Sequence, residues 1–232
     1  MKSLIRITAV ILALGISGIL TSAACAQAPA EPKKSDPLPA PPAAPAPTKP
    51  LEKDTKVDAG PLRLLFAAGW VQQTPASKMR AAQAELPGPS KESGPAELTV
   101  YFFGKGQGGD TAANVARWKA QVERPEGLSE ADHAKETRRE VAGWPVTVIE
   151  MRGRYLGSRF PGQPEPTPID DARLLGVIIE HPDGNWFIKV AGPRATMDHH
   201  AKSLEAMIAG IEKKPEEPGK PSAPKPLPPG HP

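Results

Sequence analysis

Cysteine is almost missing from this sequence: Cys25 is the one example in 232 residues. With no second cysteine there is no internal disulfide, and multi-cysteine zinc sites are excluded. Aromatic residues make up only 5%, so any core must be mainly aliphatic. No apolar run reaches the roughly 20 residues needed to cross a bilayer as a helix. The longest, Ile7 to Leu20, is shorter than that and is broken by Thr8, Gly15, Ser17 and Gly18. An excess of one charge is also lacking. The net charge is +3, and two of those charges, Lys2 and Arg6, stand at the very beginning of the chain. The remainder is close to neutral, with acids and bases interspersed and no basic stripe, which argues against a nucleic-acid partner.

What the sequence has in abundance is proline, 30 residues unevenly spread. Nine fall between Gln27 and Pro50 and eight between Pro215 and Pro232. Proline fixes φ and removes a backbone donor, so residues 27–56 and 213–232 read as disordered, semi-rigid spacers rich in polyproline II. Their P-x-x-P strings have readers that are largely intracellular and carry little weight. Between them, residues 57–212 form one folding unit. About 155 residues is enough to bury a stable core without metal or disulfide.

The first 26 residues have the order of an export signal: basic from Met1 to Arg6, apolar to Leu20, small from Thr21 to Ala26. The expected location is therefore the bacterial periplasm or the cell exterior, with no transmembrane helix in the mature form. Two processing routes stay open. Ala24-Cys25-Ala26 fits the small-x-small rule and leaves Gln27 first. Ser22-Ala23-Ala24-Cys25 resembles a lipobox, with Ser22 where leucine is usual, and would tether the protein to a membrane through lipidated Cys25.

Within the folding unit, Leu62–Phe66, Met79–Leu86 and Glu97–Phe103 read as strands, the last from its β-branched and aromatic content. Glycines 104–109 break the pattern, and Asp110 or Thr111 can cap a helix running to about Val122, with Val115, Trp118 and Val122 on one face. Glu136–Val141 and Pro145–Tyr155 predict a hairpin turning at Ala142-Gly143. Arg159–Asp170 reads as a long loop. Arg173–His181 and Trp186–Ala191 form a second hairpin around Pro182-Asp183-Gly184-Asn185. A final amphipathic helix is expected from about Arg194 to Ile211. Six or seven strands with two good helices predict an α+β fold, an antiparallel sheet with helices packed on it.

That element order, together with Gly69-Trp70, the glycine break before Asn114-Val115-Ala116-Arg117-Trp118, the Gly184-Asn185-Trp186-Phe187 hairpin and the closing helix, resembles the PsbP-like fold. This fold is shared by the extrinsic photosystem II protein PsbP and by exported bacterial domains of the DcrB type. The resemblance spans roughly residues 62–211. It implies an α-β-α sandwich that binds or scaffolds, and it brings no catalytic motif to transfer. Nothing in the chain is specific to photosystem binding.

Candidate sites are few. Gly104-Lys105-Gly106-Gln107-Gly108-Gly109 satisfies G-x-G-x-x-G between a strand and a helix. However, Asp110 puts a carboxylate where a helix N-terminus would receive phosphate, and no strand ending in an acid follows. Lys105, Gly106, Gly108 and Gly109 are kept as a candidate small-molecule or anion site. His199 and His200 are neighbours on a helix, pointing about 100° apart, and cannot chelate one metal as an i, i+4 pair would. Ser77, Ser129 and Ser158 have no nucleophile elbow around them. The carboxylate pairs Asp170-Asp171 and Glu136-Glu140 have polar neighbours. Trp118 and Trp186 read as core, whereas Trp70 or Trp144 could line a ligand cleft near Arg80, Arg117 or Arg154.

The reading that follows is an exported, non-enzymatic binding or scaffold domain with an unknown protein or small-molecule partner, and no cofactor or metal. The alternatives are an anion carrier using loop 104–110, or an enzyme whose residues meet only on folding.

Overall fold

The computed structural model describes residues 49–75, 77–158 and 165–215. The signal and lipidation readings at residues 1–26, Cys25 included, and most of both proline-rich segments lie outside the described residues. In chain order the elements are β1 (Thr55–Ala59), β2 (Leu62–Phe66), β3 (Val71–Gln73), β4 (Arg80–Leu86), β5 (Ala96–Phe102), α1 (Thr111–Lys119), β6 (Val122–Glu123), α2 (Glu130–His133), β7 (Ala134–Val141), β8 (Trp144–Tyr155), β9 (Ile169–Ile179), β10 (Trp186–Pro193), α3 (Arg194–His199), α4 (Ala201–Ala209) and β11 (Glu212–Lys213).

Mostly antiparallel β-structure with a few helices is what these residues build. Eight strands form one sheet in the order β3-β4-β5-β10-β9-β8-β6, with β7 also paired to β8; β1, β2 and β11 form a separate three-stranded sheet. The strand count exceeds the six or seven expected by β1, which lies beside the proline-rich stretch, and by β3, β6 and β11, which have only three, two and two residues. Pieces that short carry no alternation to detect. The Ala142-Gly143 turn has φ of 56° and 80°, the two positive values of a type I′ hairpin, and it sets the register Val141↔Trp144.

The eight-stranded sheet is covered differently on its two faces. Side chains alternate along a strand, so on β10 Trp186, Ile188 and Val190 face the small sheet and α4, while Phe187, Lys189 and Ala191 face α1. The centre of the first face is apolar, including the fully buried Leu98, Val177, Ile179 and Trp186, and toward one end Arg139 and Arg173 pair with Glu205 of α4 and Asp198 of α3. Each such buried apolar side chain contributes about 1.5–3 kcal/mol relative to exposure. On the second face α1 lays Trp118 over Gly176 of β9, beside Ile149 and Leu174. Val122 does not continue this helix, contrary to the helical spacing. Gln121 N–H bonds to the Trp118 carbonyl at 3.0 Å, and Val122 then pairs with Tyr155 as β6.

The closing helix is also interrupted. Its apolar period runs unbroken through the sequence, yet α3 ends and α4 begins around His200. His200 is 9% exposed and is held by two distant groups. Trp70 Nε1–H donates to Nδ1 at 3.2 Å, and Nε2 lies 2.8 Å from the Pro87 carbonyl. These contacts assign the neutral ring with its hydrogen on Nε2. Burial holds the His200 pKa below the ordinary histidine value, ahead of the opposing bond to Pro87. The unfolded chain therefore binds the extra proton first. Stability is complete above about pH 6.5, the unfolded value, and falls as the pH drops toward the native one. Urea midpoints measured from pH 7.5 to 5 should decline by no more than about 1.4 kcal/mol per pH unit from this group. His200→Gln, which can still accept and donate, should flatten that slope; an unchanged slope would remove the assignment.

Candidate functional site

The residues singled out in the sequence are dispersed by the fold. Lys105 and Gly106 are exposed near the tip of the β5–α1 loop, while Gly108 is half-buried against Phe103 and Phe187. The start of α1 is already supplied with an anion of its own: Asp110 Oδ1 accepts from Ala113 N–H at 2.7 Å. Buried Asn114 then draws the loop closed by donating to the Gly108 and Asp110 carbonyls at 2.9 and 2.8 Å. Among the described residues nothing pairs with Lys105. The loop thus offers an incoming anion one exposed lysine beside a carboxylate.

Trp70 and Trp144 are core residues, 0% and 6% exposed, and neither lines a cleft. The arginines expected near them are engaged elsewhere: Arg80 with Glu97 at 2.7 Å, Arg154 with Asp170 at 3.0 Å, Arg117 with Asn114. His199 and His200 form no metal cluster, and the described residues contain no grouping of three or more His, Cys, Asp or Glu side chains suited to an ion. Glu136 and Glu140 lie exposed on β7. Ser129 caps α2, accepting from Asp132 N–H at 3.2 Å.

One serine sits differently. Ser158 accepts a hydrogen bond from Lys189 Nζ, and the same ammonium donates to Tyr155 OH at 3.0 Å. Lys189 is 8% exposed, in the middle of β10 with Phe187 and Ala191 two residues away on the same face. Among the described residues no carboxylate pairs with it. Its remaining neighbour of note is the Tyr155 ring, with the nitrogen 5.6 Å from the centroid. Its register partners are Thr99 on β5 and Gly176 on β9.

The strand geometry explains how Tyr155 reaches this lysine. Between Gly153 and Tyr155 the β8–β9 register shifts, from Gly153↔Ala172 to Tyr155↔Ile169, so β9 carries an extra residue. Asp171 lies within this bulge with φ +46°, a left-handed conformation that aspartate tolerates better than most side chains. Arg194 fixes it with two bonds to the carboxylate, 2.7 and 2.9 Å long, which hold the Asp171 pKa below the ordinary range. Bulges of this kind re-aim side chains next to functional sites.

No family model and no curated protein matches the chain. The comparisons identify no family. Among solved structures, a protein of unknown function, PA94 from Pseudomonas aeruginosa, is 14% identical with a TM-score of 0.38, over 70% of this chain and 99% of that one. A likeness at that level carries no argument here, so the Lys189 cluster has to be read from its own chemistry. No helix among the described residues is long and apolar enough to cross a membrane.

Proposed function

We propose that this chain is an exported, non-enzymatic binding domain with a PsbP-like sandwich, and that its ligand is held on the α1 side of the main sheet at Lys189. The order of residues 1–26 supports export, and the placement of α1 on one face and α4 on the other supports the sandwich. The observation that carries the binding reading is the Lys189 ammonium, buried with two hydroxyls and with no carboxylate paired to it among the described residues. Taking an ion out of water costs several kcal/mol unless it is paired. Hydroxyls offset part of that cost, and a bound anion would offset far more.

A structural lysine and a ligand-binding lysine make opposite predictions for the isolated protein. Lys189→Met keeps the length of the stem and discards the charge. If the charge serves a ligand, the variant should be as stable as the wild type or more stable, by about 1–3 kcal/mol, since apolar replacements of buried ions are often favourable. Thermal unfolding without added ligand decides this. A loss of more than about 1 kcal/mol would mean that the ammonium holds the fold together, and the binding reading would be withdrawn. The glycine-loop alternative is the weaker one because Asp110 already occupies the start of α1.

A further inference from the structure

We infer that β7 is the surface through which two copies of this chain associate, edge to edge, about a two-fold axis at Thr137. β7 pairs with β8 and with no other strand among the described residues, so it is an edge of the large sheet. The hairpin decides which of its backbone groups face outward. Its two-residue turn makes Val141 and Trp144 the closing hydrogen-bonded pair, and bonded and non-bonded pairs alternate from there. Val141, Arg139, Thr137 and Lys135 therefore bond to β8. Ala134, Glu136, Arg138 and Glu140 turn their N–H and C=O groups away from the sheet, an open ladder about 20 Å long.

Backbone groups at an edge fit any extended chain, so side chains select the partner. The proline-rich segments of this chain fit poorly, because proline supplies no N–H. A second β7 fits well. A two-fold axis perpendicular to the sheet runs the two strands antiparallel and brings residues of the same face opposite one another. Ala134 packs on the α1 side and Val141 on the α4 side. By alternation Glu136, Arg138 and Glu140 share the first face, and Lys135, Thr137 and Arg139 the second.

With Thr137 on the axis, Glu136 lies opposite the partner's Arg138, and Arg138 opposite the partner's Glu136. Both side chains are exposed, and within one chain they are paired only loosely, at 3.5 Å. All the outward residues find bonded partners, giving about eight backbone bonds at two per pair. Threonine opposite threonine is itself a favourable cross-strand pair. Lys135 meets the partner's Arg139, a charge that Glu205 of the same chain already matches at 2.5 and 3.1 Å. Other registers fit worse. Glu136 or Arg138 on the axis would oppose its own like charge. Arg139 on the axis would do the same, and would run the ladder into Ala142, whose φ of 56° is not extended. Charged side chains thus keep this edge from indiscriminate pairing while leaving one self-complementary register open.

Pairing over one short strand buries less than a standard interface, so the weight-average mass of the full chain in sedimentation runs should rise between about 10 μM and 1 mM. Added salt should weaken the association. Arg138→Pro removes an outward N–H and spares the bonds to β8, and should weaken it at least about 10-fold. Glu136→Arg and Arg138→Glu should each be monomeric alone, since each sets like charges opposite one another. An equimolar mixture of these two variants should associate again, because one chain is then wholly positive at the two positions and the other wholly negative. A monomer at every concentration overturns the inference; that result is expected if the charges merely protect the edge or if it takes a strand of another protein. Association that both reversals leave unchanged, or a mixture that stays monomeric, overturns it as well. None of these outcomes bears on Lys189, which keeps its own stability test.

Discussion

Gly176→Ala is expected to destabilise the domain by roughly 3 kcal/mol, at the upper end of what overpacking costs. Nothing about the backbone torsion there demands glycine; the demand is steric. A Cβ at this position would lie 2.3 Å from two carbons of the Trp118 ring and 2.9 Å from Ile149 Cγ2. The indole cannot simply withdraw, because it is 4% exposed and packed with Val115, Met151 and Leu174. In effect the missing side chain is the seat of the tryptophan, and α1 is pinned to the sheet centre through it. The companion variant is Trp118→Leu, costly alone, in which Gly176→Ala should be far better tolerated. Denaturant midpoints of the four proteins of the cycle should therefore show a coupling of at least about 1 kcal/mol. A cost below about 1 kcal/mol for Gly176→Ala by itself would mean that the helix sits more loosely than the geometry shows.

On the other face, Trp186→Ala should cost about 3–5 kcal/mol, the range for removing a large buried ring. Trp186 is 0% exposed, stacks on Phe102 with centroids 4.3 Å apart, and donates Nε1–H to the Ala59 carbonyl at 3.0 Å. That bond joins β10 of the large sheet to β1 of the small one. Trp186→Phe retains most of the apolar contact and loses the bond, so a cost of about 1–2 kcal/mol is expected. Chemical denaturation of both variants separates the two contributions. If Trp186→Phe proved as damaging as Trp186→Ala, the bond to Ala59 rather than the ring would dominate.

The main sheet was legible in the sequence wherever strands are long and bounded by turn residues. Glu97 to Phe103 announces β5, Pro182 to Asn185 announces the last hairpin, and Ala142-Gly143 announces the β7–β8 turn. Thr55 to Ala59 was passed over until Val57 because only Val57 and Ala59 turn inward, beside a proline-rich stretch. The break at His200 could not be read from periodicity, since its causes, Trp70 and Pro87, lie more than 100 residues away. The Lys189 cluster had a faint signal that went unused: a lysine at an inward position of W-F-I-K-V-A-G. Ser158 carried no signal at all. Its meeting with Lys189 depends on β8 and β10 lying on either side of β9 and on the one-residue bulge at Asp171, both properties of the folded chain. The tryptophans misled in the other direction. Trp70 and Trp144, judged by the glycines beside them, looked like cleft residues, and the fold uses both as core.

The arrangement of the small sheet has a consequence for how the domain can be handled. β1 and β11 lie on opposite sides of β2, so the first and last strands of the fold are about 10 Å apart, two strand spacings. A cassette with neighbouring ends can be spliced into a surface loop of another protein, or have its ends joined by a short linker and be reopened elsewhere. Tension applied between the same two ends would bear on β2 first, before any strand of the eight-stranded sheet.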